Sequence, residues 1–102
     1  MYSKIYEKSG SELIVELGKR FKEYRKRMNL TQKNVSEKSG LSVFTISSFE
    51  NGSLTGLTLA SFIKILRAID CLEEIEKLLP ELPKSPKEIF EATIKNNREF
   101  SV

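Results

Sequence analysis

Apolar residues recur along the first third of the chain at intervals of three and four: Leu13, Leu17, Phe21, Tyr24 and Met28. That spacing places them on one face of a helix. Upstream, Ser9-Gly-Ser-Glu12 has the form of a capping box, with Ser9 as N-cap and Glu12 at the third helical position; Ser11 is a second candidate cap. Asn29 tolerates the left-handed conformation and is expected to end this helix after Met28. Thr31 is suited to cap a short second helix over residues 32–39, with Val35 facing inward. Gly40 then supplies a positive φ for a sharp turn. Ser42 caps a third helix over residues 43–50, with Ile46 and Phe49 inward, and Asn51-Gly52 stops it.

A wide stripe of Leu59, Phe62, Ile63, Leu66 and Ile69 marks a fourth helix, capped by Thr55 or Thr58. Residues 71–79 are expected to form a fifth, short and acidic helix. Pro80, Pro83 and Pro86 then interrupt the pattern as a linker. Ser85-Pro-Lys-Glu88 is another capping box, with proline at the first helical position. It opens a final helix to about residue 96 that carries Ile89, Phe90 and Ile94. No stretch alternates with the period of a strand, and no internal repeat is present.

Composition narrows the class. With 102 residues, 39% hydrophobic and 30% charged, the chain fits one small globular domain with a tail rather than a disordered protein. No apolar run approaches the roughly 18 residues of a membrane span, and residues 1–5 lack the apolar centre of a signal peptide. The single Cys71 cannot form an internal disulfide, which fits a reducing cytoplasm. Histidine is absent, and with it the usual residue of metal sites and of proton transfer near neutral pH. No glycine-rich phosphate loop, nucleophile motif or metal-ligand spacing occurs. The expectation is no enzyme, no catalytic residue, no metal and no cofactor, with Glu73, Glu74 and Glu76 a solvated helix face.

Charge adds one positive indication. Between Lys19 and Lys38, eight basic residues face only Glu23 and Glu37, a local charge of +6. Between Asp70 and Glu91, seven acids face three lysines, a local charge of −4. The first half therefore offers a surface suited to a polyanion. Two short helices joined by a glycine-containing turn, 32–39 and 43–50, have helix-turn-helix spacing. In that geometry the second helix enters the major groove of DNA while the first crosses the backbone. The expected fold class is all-α: a compact bundle of five short helices containing a helix-turn-helix, plus a C-terminal tail or extra helix. Residues 9–79 are expected to form the DNA-binding domain, and 80–102 the proline-containing linker and tail.

The run from Leu30-Thr-Gln through Ser39-Gly-Leu-Ser42, Thr45-Ile-Ser47 and Glu50-Asn-Gly52 resembles the helix-turn-helix of phage-repressor-type regulators, the lambda repressor/Cro-like or XRE family. Leu57-Thr-Leu59, Phe62-Ile-Lys-Ile65 and Arg67-Ala-Ile69 fit its fourth helix, so that the likeness covers roughly residues 13–79. The resemblance implies roles position by position. Gln32 would sit by a phosphate. Val43, Phe44, Ser47 and Ser48 would face outward to read bases, with Thr45 on the flank. Asn51 would grip a second phosphate, and Arg25 would pair with Glu50 to tie the first helix to the end of the third. Lys33 and Ser42 complete the expected DNA-contacting set, and Lys38 and the basic first helix are expected to add phosphate contacts. Other roles stay open: Gln32 could only cap its helix, Ser47 and Ser48 could be merely solvated, and Phe44 could pack inside the protein. No arginine, glutamine or asparagine stands at the outward positions of the third helix, and serine discriminates weakly between bases.

Leu78-Leu79-Pro-Glu-Leu-Pro-Lys-Ser-Pro86 resembles the step that ends HipB-like antitoxins, the short regulators encoded beside HipA-type kinase toxins. Lys95, Arg98 and Glu99 match their basic tail only in part, and Phe90, Ile94 and Phe100 need a fold-back or a partner to be covered. The function expected is that of a bacterial sequence-specific DNA-binding transcriptional regulator in the cytoplasm, at the nucleoid. It would act as a repressor and homodimer on an inverted-repeat operator in double-stranded DNA, with Leu54, Leu57 and Leu72 candidate dimer contacts. The alternatives are an antitoxin with a kinase-like toxin partner, and a protein-interaction module that does not bind DNA.

Overall fold

The computed structural model describes residues 3–100, with side chains through residue 94. Six α-helices run in the order α1 (Gly10–Arg27), α2 (Gln32–Ser39), α3 (Val43–Asn51), α4 (Leu59–Ala68), α5 (Ile75–Leu78) and α6 (Pro86–Phe100). Short 3-10 turns occupy Lys4–Glu7 and Leu72–Glu74, and no strand occurs among the described residues.

The helices begin where their hydroxyls and acids direct. Ser9 accepts from the Glu12 N–H, Ser42 from Thr45 and Thr58 from Ser61, each at 3.0 Å. Thr31 and Asn34 cap each other reciprocally at 2.9 Å. Ser85 and Glu88 do the same at 3.2 Å. Each such bond satisfies a backbone donor that the first helical turn leaves without a partner. At its other end α1 closes with Asn29 at φ 58°, where the Leu30 N–H reaches the Arg25 carbonyl and the Asn29 N–H reaches Lys26. This is the paired-bond termination made by a left-handed residue.

The core is Phe21 from α1, Val35 from α2, Ile46 and Phe49 from α3, and Ile65, Ala68 and Ile69 from α4 and its end. Ile14, Leu17, Leu30, Leu41, Leu57 and Phe62 pack around it. The Phe21 and Phe49 rings stack with centroids 5.7 Å apart, and Phe62 meets Phe49 edge-on at 6.4 Å. Two details of the periodicity are corrected. On α1 the inward face is Ile14, Leu17, Gly18, Phe21 and Arg25, while Tyr24 and Met28 are exposed. Both sets recur with helical spacing, but the buried face is centred to one side of the expected stripe, and periodicity does not say which side the neighbouring helices cover. On α4 Ile65 is fully buried and Leu59 is 64% exposed, because the first residue of the helix lies beyond the reach of its neighbours.

Between α2 and α3 the turn is held by Gly40 at φ 78°, whose N–H bonds the Ser36 carbonyl. The Ser36 hydroxyl bonds the Leu41 carbonyl, and the Leu41 N–H donates to Ser39 Oγ. No atom lies within 4 Å of a Cβ added at Gly40. Gly40→Ala is therefore expected to cost about 1–2 kcal/mol from backbone strain alone, and Gly40→Asn less, as measured by urea denaturation.

The expected fifth helix is two pieces, the 3-10 turn Leu72–Glu74 and the single turn α5. Asp70, at φ 56°, closes α4 ahead of them, and neither piece has a side-chain cap. Beyond it, residues 76–91 are exposed throughout, and α6 extends to Phe100, past the expected end. The side chains of Lys95, Arg98, Glu99 and Phe100 lie outside the described residues. The chain's radius of gyration, 19.5 Å, exceeds the roughly 13 Å of a compact chain of this length.

Candidate nucleic-acid interface

The side chains expected at the interface lie on α2, α3 and the ends that join them. Their placement starts from a buried ion pair. Arg25 on α1 donates from Nε to Glu50 Oε2 and from one terminal nitrogen to Glu50 Oε1, both at 2.8 Å. Its other terminal nitrogen donates to the Leu30 carbonyl at 2.8 Å. Both residues are buried, Arg25 at 8% and Glu50 at 4% exposure. A two-pronged guanidinium–carboxylate contact fixes direction as well as distance. It sets the angle of α3 against α1.

Gln32 joins this network. Its side-chain amide lies 3.4 Å from Glu50 Oε1, a long contact that draws the side chain toward the ion pair. Thr31 and Asn34 perform the capping of α2, so that Gln32 is not needed for it. Arg25, Gln32 and Glu50 together join α1, α2 and α3, and no buried side-chain polar atom among the described residues is left without a partner.

The residues of α3 separate into three groups. Ile46, Phe49 and Glu50 are buried; Thr45 and Ser47 are half-buried; Val43, Phe44 and Asn51 are exposed, Phe44 at 80%. Ser48 is a correction: expected to face outward, it is only 7% exposed. The chain turns back at this residue, where the N–H groups of Gly52, Ser53 and Leu54 all reach the Ser48 carbonyl. Helical spacing alone does not separate Ser48 from the exposed Phe44 four residues before it. Other polar groups are partly engaged. Ser42 Oγ caps the Thr45 N–H and lies 2.9 Å from Thr45 Oγ1, while Asn51 Oδ1 accepts from the Ser53 N–H at 2.9 Å. The Asn51 amide nitrogen remains available as a donor. Lys33 and Lys38 are exposed on α2.

Gly18 is the residue that sequence reasoning missed. A Cβ built on it would lie 2.0 Å from the Phe49 carbonyl oxygen. Backbone-to-backbone packing of α1 on α3 is possible only with glycine there. The available signal was a lone glycine inside an otherwise well-formed helical pattern.

Residues 21–77, more than half of the chain, match the family model described as helix-turn-helix. The chain belongs to this family, the XRE or lambda-repressor type. The matched segment starts at Phe21 and so takes in Arg25, all of α2, α3 and α4, and α5 except its last residue. It is a family of DNA-binding regulators, not of enzymes. No curated protein matches the chain. In this helix-turn-helix protein α2 and α3 are the two helices of the motif.

Away from that face, Cys71 is half-buried and its thiol donates to the Ile69 carbonyl at 3.4 Å. Burial, helped by the carboxylates of Glu74, Glu73 and Asp70, pushes the thiol above its ordinary pKa. That makes it a poor nucleophile. Among the described residues no helix is long and apolar enough to cross a membrane, and no cluster of acids and cysteine could hold a metal ion.

Proposed function

We propose that the protein is a transcriptional repressor that binds an inverted-repeat operator as a homodimer and blocks polymerase by occupying the promoter. The observation that carries this reading is the exposed first turn of α3, held in fixed orientation by the buried Arg25–Glu50–Gln32 network. A reading element has to be rigid before contact, since ordering it on binding subtracts from affinity. Residues 9–79 are the DNA-binding unit in this reading, and 80–102 a separate arm.

Val43, Phe44, Thr45 and Ser47 face the bases. Lys33, Lys38, Ser42, Asn51 and the N-terminal end of α2 at Gln32 hold phosphates, where the unpaired N–H groups of a helix favour an anion. A twofold dimer would set its two α3 helices about 34–36 Å apart, one turn of the duplex. Leu54, Leu57 and Leu72 are only half-exposed, and Leu57 packs on the core, which leaves less of them for a partner than expected.

The experiment is selection of bound duplexes from random DNA with the purified chain. An inverted repeat is expected, and its half-site spacing reports the dimer. Affinity for the selected site should fall steeply with salt, the logarithmic slope being about −0.9 per phosphate neutralised. Enrichment of no sequence, or an affinity indifferent to salt, would favour an interaction module that does not use DNA.

A second reading adds a protein partner. The arm carries Leu79, Leu82, Ile89 and Phe90 exposed. This favours an antitoxin whose arm meets a kinase-like toxin of the HipA type while the bundle binds the operator. Co-purification with a kinase-like protein, lost on deletion of residues 80–102 while DNA binding persists, is the result that supports it.

A further inference from the structure

The surface of α3 suited to reading bases is narrower than its sequence implies, and its chemistry is different. Ser48 is buried, and its carbonyl is taken up by the N–H groups of the turn that follows. The Gln32 amide points to Glu50, and the Thr45 hydroxyl lies against that of Ser42. Ser47 is half-buried. What stands clear on the first turn is the Phe44 ring, with Val43 beside it.

We propose that Phe44, backed by Val43, is the specificity-determining residue of this protein, and that it reads the C5-methyl group of thymine in the major groove. The proposal rests on the DNA-binding reading above and names what that site recognises. A phenyl ring neither donates nor accepts a hydrogen bond to the polar edges of guanine, adenine or cytosine. Pressed against them it would displace water from groups it cannot satisfy, which is unfavourable. The thymine methyl is the one methyl group displayed in the major groove of unmodified DNA, and it gains by losing water to an apolar neighbour.

Two observations favour DNA over a protein as the occupant. The exposed apolar surface of α3 is confined to these two adjacent residues, whereas a specific protein interface needs about 800 Å² on each side. The flanking segment, residues 19–38, carries a local charge of +6, suited to phosphates.

The test uses the full chain and the highest-affinity selected duplex, with each thymidine replaced in turn by deoxyuridine. This removes a methyl and alters no hydrogen-bonding group. At one or two positions in each half-site the wild-type protein is expected to bind uracil about fourfold more weakly, the ratio set by one buried methyl. Phe44→Ala should bind thymine and uracil duplexes alike, with an unchanged melting temperature because the ring is exposed. If Phe44→Ala binds too weakly to measure, Phe44→Leu takes its place and should discriminate less than wild type. Wild-type protein that binds the selected duplex yet ignores every uracil overturns the proposal and leaves DNA binding intact. Discrimination that persists undiminished in the Phe44 variants also overturns it. Failure to bind any duplex, with Phe44→Ala disrupting a protein complex instead, overturns both readings.

Discussion

Arg25→Ala is expected to lower the unfolding free energy by about 3–5 kcal/mol, and to remove DNA binding with it. The guanidinium makes three bonds, two to Glu50 and one to the Leu30 carbonyl. Without it a carboxylate at 4% exposure keeps only the long contact from Gln32. A buried charge without its partner is far more costly than the net value of the pair. For a domain with a total stability of about 5–15 kcal/mol, such a loss leaves much of the population unfolded near the low end. Urea denaturation followed by circular dichroism reads the effect directly.

Two further variants separate charge burial from geometry. Arg25→Lys keeps the charge but cannot make the two-pronged contact, and should fall between wild type and Arg25→Ala. Arg25→Met combined with Glu50→Leu removes both charges and should recover most of the stability. It should not recover full DNA affinity, because Gln32 then has no carboxylate to hold it and α3 loses its polar tie to α1. Wild-type stability in Arg25→Ala would show that this pair contributes little to the fold.

Gly18→Ala is the second large effect expected, a destabilisation of about 2–3 kcal/mol or more. Taken alone, alanine in the middle of α1 should stabilise the helix by about 1 kcal/mol relative to glycine. The added methyl carbon, however, would sit 2.0 Å from the Phe49 carbonyl oxygen and 2.9 Å from its carbon. Both are backbone atoms, so no rotamer change relieves the clash. Helix α1 must shift from α3, disturbing the Phe21–Phe49 stack and the Arg25–Glu50 pair, which span the same two helices. Overpacking of well-packed cores typically costs 1–3 kcal/mol, and clashes with backbone lie at the upper end. Thermal denaturation is the measurement, with Gly10→Ala as control, since nothing lies within 4 Å of a Cβ there. A Gly18→Ala protein as stable as wild type would mean that α1 and α3 do not cross this closely.

Local signals in this chain proved dependable where a short stretch decides its own conformation. Ser9, Thr31, Ser42, Thr58 and Ser85 each cap a helix because a hydroxyl and an N–H three residues on need nothing else to meet. Gly40 and Asn29 end helices because φ near +60° to +80° suits few other residues. Ile46, Phe49 and Val35 were legible as core from spacing alone, and the all-α class followed.

The side of each helix that solvent reaches was settled instead by packing that lies outside the helix itself. Ser48 shares the helical face of Phe44, yet one is buried and the other exposed, a difference that helical spacing does not carry. The need for glycine at position 18 exists only because Phe49 crosses α1 there. Helix propensity and caps act within a few residues, so composition and spacing carry them. Which polar groups remain free to meet a ligand depends on three-dimensional packing, and one-dimensional periodicity carries no record of it.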